Sequence, residues 1–180
     1  MSEPTRAPRP LDAQTLQAQS EAFARPIESQ RKQDVHVVLA RIGSSWIAFP
    51  AARVLRVTAA VAPHRVPHRR HRALRGLANI EGEIAAVIDF ASVCGFEWSP
   101  GGGTKARMMV LGERGAAWAF EVDEVPGTFA ISADELSVAP VTVSAPHAGF
   151  TSGLVPSEHG PAGLVDVDAL LMACEGVVRS

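Results

Sequence analysis

The chain has 180 residues, 47% of them hydrophobic and 20% charged, with 17 Lys and Arg against 19 Asp and Glu and a formal charge of −2. Near-neutrality argues against a histone-like or polybasic nucleic-acid binder, and the apolar content argues against a disordered polyelectrolyte. The length suits one domain or two very small ones, with enough apolar residues to build a core without disulfide staples.

The first ten residues, MSEPTRAPRP, lack an apolar stretch and do not read as a secretory signal. No uncharged apolar run approaches the roughly 20 residues that span a bilayer. Residues 1–34 hold five basic and five acidic residues, four prolines and few large apolar side chains. They read as a tail, either disordered and loosely attached or forming a partner-docking helix. Such a helix would start at Asp12 as N-cap and stop near Arg25, because Pro26 disfavours helical geometry before it.

From Val35 the texture becomes β-like. Val35–Ile42 alternates, Gly43-Ser44-Ser45 signals a turn, and Trp46–Phe49 resumes an apolar strand that Pro50 interrupts. Arg53–Val57 follows, then a basic loop from His64 to Arg75. Leu77–Ile80 and Ile84–Ile88 predict two strands around a turn at Glu81-Gly82-Glu83. Met108–Leu111 and Ala117–Val122 predict a hairpin, and Phe129–Ile131, Val141–Val143, Gly153–Val155 and Leu164–Val167 predict further short strands. Asp168–Ala173 predicts a short C-terminal helix capped by Asp166 or Asp168. Many short strands separated by turn residues point to a barrel or sandwich rather than β/α units. The Pro- and Gly-rich stretch at 99–105 reads as a waist between two small β lobes. The domain is expected over 35–176.

Charge is unevenly distributed. Residues 35–82 carry eight arginines and one acid, a balance of +7, whereas residues 83–180 carry four basic and thirteen acidic residues, a balance of −9. Such asymmetry can steer a polar partner or let two lobes attract each other.

Sites of chemistry are hard to find. His64, His68 and His71 have ligand-like spacing, but Arg65, Arg69, Arg70, Arg72 and Arg75 surround them and no carboxylate or thiolate lies in the run, which disfavours a divalent cation. The same run can contact phosphates, yet no aromatic is interleaved to stack bases. Gly101-Gly102-Gly103-Thr104-Lys105 lacks the order of a phosphate loop, and neither a GxSxG elbow nor an HExxH motif is present. Asp123-Glu124 and Asp166-Val167-Asp168 read as strand-end and helix-cap carboxylates. Cys94 and Cys174 fit a reduced, cytosolic compartment, with a single bridge left open, and the apolar surroundings of Cys94 suit an inert thiol. These features together describe a two-lobed β protein used for binding, with no cofactor, metal or catalytic residue; a small-ligand or metal-binding β-barrel using His64, His68 and His71 is the competing reading.

The block Leu74–Phe90, LRGLANIEGEIAAVIDF, resembles the signature of CheW-like domains, which reads G-x-x-N-L-R-G-x-x-x-P-V-x-D-L. Trp46–Pro50 with Val54 and Val57, then Ala119–Val125, Phe150–Gly153 and Leu164–Leu171, are similar to other family segments in the same order. The resemblance covers about residues 35–172. It implies a mainly β fold of two five-stranded SH3-like barrel lobes around a shared core, with a short C-terminal helix and no enzyme activity. It also implies an adaptor that couples the signalling tip of methyl-accepting chemoreceptors to a CheA-type histidine kinase, and pairs with other CheW-like proteins. Such an adaptor is cytoplasmic and meets the membrane only through receptor arrays; an array-linking module without receptor contact is the alternative within the family. By position, Val54, Gly76, Asn79 and Glu81 fall on the receptor surface. Arg56, Thr58, Val61 and Val66 fall more weakly on the kinase surface. Arg65, Arg69, Arg70, Arg72 and Arg75 form a basic partner surface. Two departures stand out: Glu81 occupies the usual Arg position, and Ala85-Ala86-Val87 lacks the common Pro.

Overall fold

The structure is a computed structural model that describes residues 34–67, 71–99, 101, 103–113, 115–137 and 148–179. The tail expected over residues 1–33 and the strand expected at Val141–Val143 lie outside the described residues.

Among the described residues, ten strands form two five-stranded antiparallel-rich sheets. In chain order they are β1 (Asp34–Ile42), β2 (Ser45–Pro50), β3 (Val54–Ala59), β4 (Leu74–Ile80), β5 (Glu83–Ile88), β6 (Arg107–Glu113), β7 (Ala116–Val122), β8 (Glu124–Ser132), β9 (Thr151–Val155) and β10 (Ala162–Val165). Two helices among the described residues join them: α1 (Phe90–Cys94) and α2 (Val167–Arg179). The strand order is β8-β1-β2-β10-β9 in one sheet and β3-β6-β7-β5-β4 in the other. Each sheet is tied across its open side, in keeping with the SH3-like description. Ser137, just beyond β8, bridges Leu154 on β9, and the Arg56 guanidinium on β3 donates to the Ile80 carbonyl at the end of β4.

The chain enters the second sheet after β2 and leaves it after β7. The segment 99–105 connects α1 to β6 within that second unit, so it does not divide the lobes as expected. The dividing points are the 3-10 turn Ala51–Arg53, set up where Pro50 ends β2, and the junction at Asp123.

Burial explains why several strands are apolar on both faces. In β6, Met108 and Val110 fill the interior of the second lobe, with Ala78, Ile80, Ala85, Val87 and Ala119. Met109 and Leu111, on the opposite face, belong to a large core shared with the first lobe. β1 repeats the pattern: Val37 and Leu39 fill the first lobe, while Val38, Ala40 and Ile42 join the shared core. Alternate side chains point to opposite faces of a strand, and here both faces meet a core. Phe90 sits at the centre of the shared one. Its ring lies edge-on to Phe49 of β2, Phe120 of β7 and Phe96, with centroids 6.0, 5.9 and 6.2 Å away.

α1, which the sequence reading leaves out, is capped at its start by Asp89, whose carboxylate accepts from the Ser92 N–H and hydroxyl. Gly95 ends it in the left-handed conformation (φ 78°). α2 begins one residue earlier than expected and runs on to Arg179. Asp166 is its cap, accepting from the Ala169 N–H at 3.1 Å, whereas Asp168 lies in the first turn and pairs with Arg53. β8 is nine residues rather than three, and contains Pro126. A proline is tolerated there because β8 is an edge strand that, among the described residues, pairs only with β1. β4 likewise starts at Leu74, three residues before the expected Leu77 and so taking in the last two residues of the stretch read from sequence as a basic loop ending at Arg75.

Candidate partner-binding face of the second lobe

The hairpin β4–β5 is closed by a two-residue turn: Ile80 pairs with Glu83, leaving Glu81 and Gly82 at the apex with φ of 53° and 92°. Positive φ at both positions is the mark of a type I′ turn, which matches strand twist and favours Asn-Gly. Glu81 is the non-glycine residue with positive φ among the described residues. Asn79 supports the turn through its Oδ1, which accepts from the Gly82 N–H at 2.8 Å.

Arg56 reaches across to this apex. Its guanidinium donates to Glu81 Oε2 and Glu83 Oε2, both at 3.2 Å, and to the Ile80 carbonyl at 3.1 Å. Two carboxylates therefore share one cation. The Glu81 side chain is 66% exposed and that of Arg56 only 27%, so the outward-facing charge at the apex is negative.

Gly76 serves close approach. A Cβ there would lie 2.2 Å from the His64 carbonyl oxygen. His64 and Leu77 exchange both backbone hydrogen bonds, at 2.7 and 2.9 Å, so the segment around His64 covers the outer edge of β4 at this point.

Register aligns one row of side chains across the whole sheet: Val54 pairs with Leu111, Leu111 with Trp118, Trp118 with Ala86, and Ala86 with Leu77. The middle of this row packs on the shared core, as does half-buried Val54. At the β4 end the face emerges: Leu77 is 40% exposed and Ile84, which pairs with Asn79, is 63% exposed. Val54 and Asn79 thus lie at opposite ends of one face, while Gly76 works underneath it and Glu81 at its tip. Leu77 and Ile84 are absent from the sequence-derived site; their signal is the alternation Leu77-Asn79 and Ile84-Ala86 opposite the buried Ala78-Ile80 and Ala85-Val87.

The residues assigned by position to the kinase surface are less uniform. Arg56 and Thr58 pair with Val110 and Met108, whose side chains fill the second lobe, so both point toward that interior. Val61 is exposed and Val66 half-buried. The outer face of β3 instead shows Leu55 and Val57, each 38% exposed.

Of the basic set, Arg65 and Arg72 are exposed, and Arg69 and Arg70 lie outside the described residues. Arg75 does not belong to an open basic surface: it donates to Glu121 Oε2 at 2.7 Å, and the Glu121 side chain is only 11% exposed. His68 is not described. His71 Nδ1 accepts from the Ala73 N–H at 3.2 Å, and no group of three metal-ligating side chains occurs among the described residues. A groove of about 320 Å³ lies in the other lobe, lined by Val37, Leu39, Phe129, Ile131 and Val155 with Glu135 and Glu158, far in sequence from the histidines.

Both cysteines are free. Burial pushes the Cys94 thiol up to about 12, with Cys174 and Asp89 adding to the effect, and burial alone pushes Cys174 up to about 12. Neither supplies a thiolate nucleophile near neutral pH.

A family model for the CheW-like domain matches residues 36–175. The chain belongs to the CheW-like family. No curated protein matches it in sequence. Among solved structures, it is similar to the scaffolding protein TtCheW from Thermoanaerobacter tengcongensis, at 18% identity and a TM-score of 0.64, over 74% of this chain and 90% of that one. That likeness shows the fold. The β4–β5 block, with Glu81 at its apex, lies within the matched range. No helix among the described residues is long and apolar enough to cross a membrane.

Proposed function

We propose that this CheW-like protein is a non-catalytic scaffold that couples chemoreceptor signalling tips to a CheA-type histidine kinase. Family membership over residues 36–175 carries this reading, and the solved relative is itself described as a scaffolding protein. The receptor surface is the face bearing Val54, Asn79 and Glu81, with Gly76 setting its backbone. The kinase contacts lie on and after β3, through Val61 and Val66, with Arg56 and Thr58 supporting from within. Arg65 and Arg72, exposed among the described residues of the basic set, contribute to a basic surface for a partner. The protein works in the cytoplasm and reaches membrane arrays through the receptors it binds.

An adaptor acts by binding two proteins whose relative geometry changes with signal state, and needs no chemistry of its own. Standard specific interfaces bury about 800 Å² per partner, an area that each lobe can offer. A second reading, an array-linking module that binds kinase or another CheW-like protein without receptor, draws support from one observation: a carboxylate stands at the apex where the family has a guanidinium. Calorimetric titration with soluble receptor signalling-tip fragments and with the regulatory domain of a CheA-type kinase tests both. Binding to both supports coupling; binding to the kinase domain alone selects the array-linking module; binding to neither overturns both.

A further inference from the structure

We propose that the segment taken by the β4–β5 face is an amphipathic helix that brings a lysine or arginine against Glu81, so that Glu81 selects partners by charge. This rests on the receptor-coupling reading above and names the chemistry of the partner at that same surface.

Three features lead there. The first is the shape of the surface. Leu77 and Ile84 are exposed on one face beside Asn79, which gives an apolar strip with a polar centre. The edge of β4 is not available for an added strand at Leu77, because both backbone groups of Leu77 are bonded to His64. A partner that meets Leu77 therefore lies on the face rather than pairing with its backbone, and a helix with an apolar stripe is an element that does so.

The second is charge. Arg56 has three acceptors, and its guanidinium is mostly covered. Glu81 and Glu83 together exceed it by one negative charge, and the Glu81 carboxylate faces solvent. Arg75, the cation next along β4, is engaged with Glu121. An approaching acidic side chain is repelled at the apex, and a cation gains a charge-assisted hydrogen bond to a carboxylate that is held in place.

The third is strain. Glu81 occupies a left-handed position (φ 53°) where Asn or Gly is the unstrained choice. Local strain of this kind persists where function requires the residue. Asn79 and Arg56 already hold the turn, so the turn itself does not require a carboxylate at its apex.

Titration of wild type, Glu81→Gln, Glu81→Arg and Ile84→Ser with a panel of receptor signalling-tip fragments tests the assignment. A fragment that binds wild type is expected to lose about tenfold in affinity with Glu81→Gln and more with Glu81→Arg. Replacing one basic residue of that fragment by Glu is expected to recover binding to Glu81→Arg. Ile84→Ser is expected to weaken binding whatever the charge. Equal or tighter binding of Glu81→Arg, with Ile84→Ser still weakened, overturns the charge assignment and leaves the face. Binding unaffected by Ile84→Ser overturns the face. Failure of every fragment to bind wild type overturns the receptor-coupling reading and this inference with it. Circular dichroism of each variant confirms that the fold is retained.

Discussion

Arg56 and Glu81 are joined by a 3.2 Å ion pair that ties edge strand β3 to the apex of the β4–β5 turn. The proposed function sets the two residues on different partner surfaces, yet one holds the other. The guanidinium also bonds Glu83 and the Ile80 carbonyl, so the clamp depends on Arg56 more than on Glu81. Arg56→Ala is expected to cost about 1–2 kcal/mol, since it strips the carbonyl bond and leaves two like charges side by side.

Glu81→Asn should act in the opposite sense. It removes a largely exposed ion pair worth about 0–1 kcal/mol and relieves a left-handed glutamate, a strain of order 1–3 kcal/mol. The expected net effect is a gain of about 0.5–1 kcal/mol by urea denaturation. A loss of more than 1 kcal/mol would show that the pair outweighs the strain.

Gly76→Ala places a methyl 2.2 Å from the His64 carbonyl oxygen. Backbone cannot yield as a side-chain tip does, so the His64 segment must separate from β4. The expected cost is about 2–3 kcal/mol, in the range of overpacked interiors. The amides of His64 and Leu77 should lose hydrogen-exchange protection before those of β6. Protection unchanged at both would mean that the segment is not held by this bridge.

The strands were largely legible in the sequence, and their grouping was not. β6 reads as the apolar run Met108-Met109-Val110-Leu111 because its two faces meet different cores, and alternation cannot say which face goes where. The return of β8, β9 and β10 to the sheet begun by β1 and β2 depends on pairings such as Leu39 with Gly127, which no local pattern encodes. That is why a glycine-rich connector looked like a waist. Pro126-Gly127 hid most of β8, and five residues were too few for helical periodicity to reveal α1, although Asp89 and Gly95 were its caps. At the site, Gly76, Asn79 and Glu81 were found through a family signature. Leu77 and Ile84 required the register, because exposure of an apolar residue on a strand depends on what lies beyond it. Arg75 looked like part of a basic surface until its distant partner Glu121 was placed beside it.

Acid should loosen the junction between lobes through Glu124. Its hydrogen bond from Lys105 comes first among the causes holding its carboxyl below the ordinary value of 4.5, and Arg41 adds to it. Because the folded value is the lower one, the contribution is present above pH 4.5 and disappears as pH falls through the depressed value. Glu124→Gln should flatten the acid limb of a stability–pH profile while leaving the neutral region little changed. An identical acid limb in the variant would assign the loss to other carboxylates.

The thiols give the complementary alkaline prediction. Cys94 and Cys174 are raised from 9.0 to about 12 by burial, so the folded state retains protons that the unfolded chain releases. Their contribution is intact below pH 9 and declines between pH 9 and 12. At pH 8 the native protein should react with a thiol reagent only as fast as it opens, and with two equivalents once denatured. Rapid modification of one thiol in the native state would show that α1 frays from the core.

Phe90→Ala tests whether the lobes are energetically one unit. Phe90 touches Phe49 from the first sheet and Phe120 from the second, and it is fully buried. Truncating a buried phenylalanine costs about 3–5 kcal/mol, from lost transfer energy and the cavity left behind. The loss should fall on both lobes together, because the residues around Phe90 belong to a core that neither lobe can complete alone. Tryptophan reporters are available for each: Trp46 on β2 and Trp118 on β7. Single-tryptophan versions should report coincident urea transitions in wild type and coincident, lowered midpoints in the variant. Separated midpoints would show that the two sheets fold as independent units, each stabilised by its own interior.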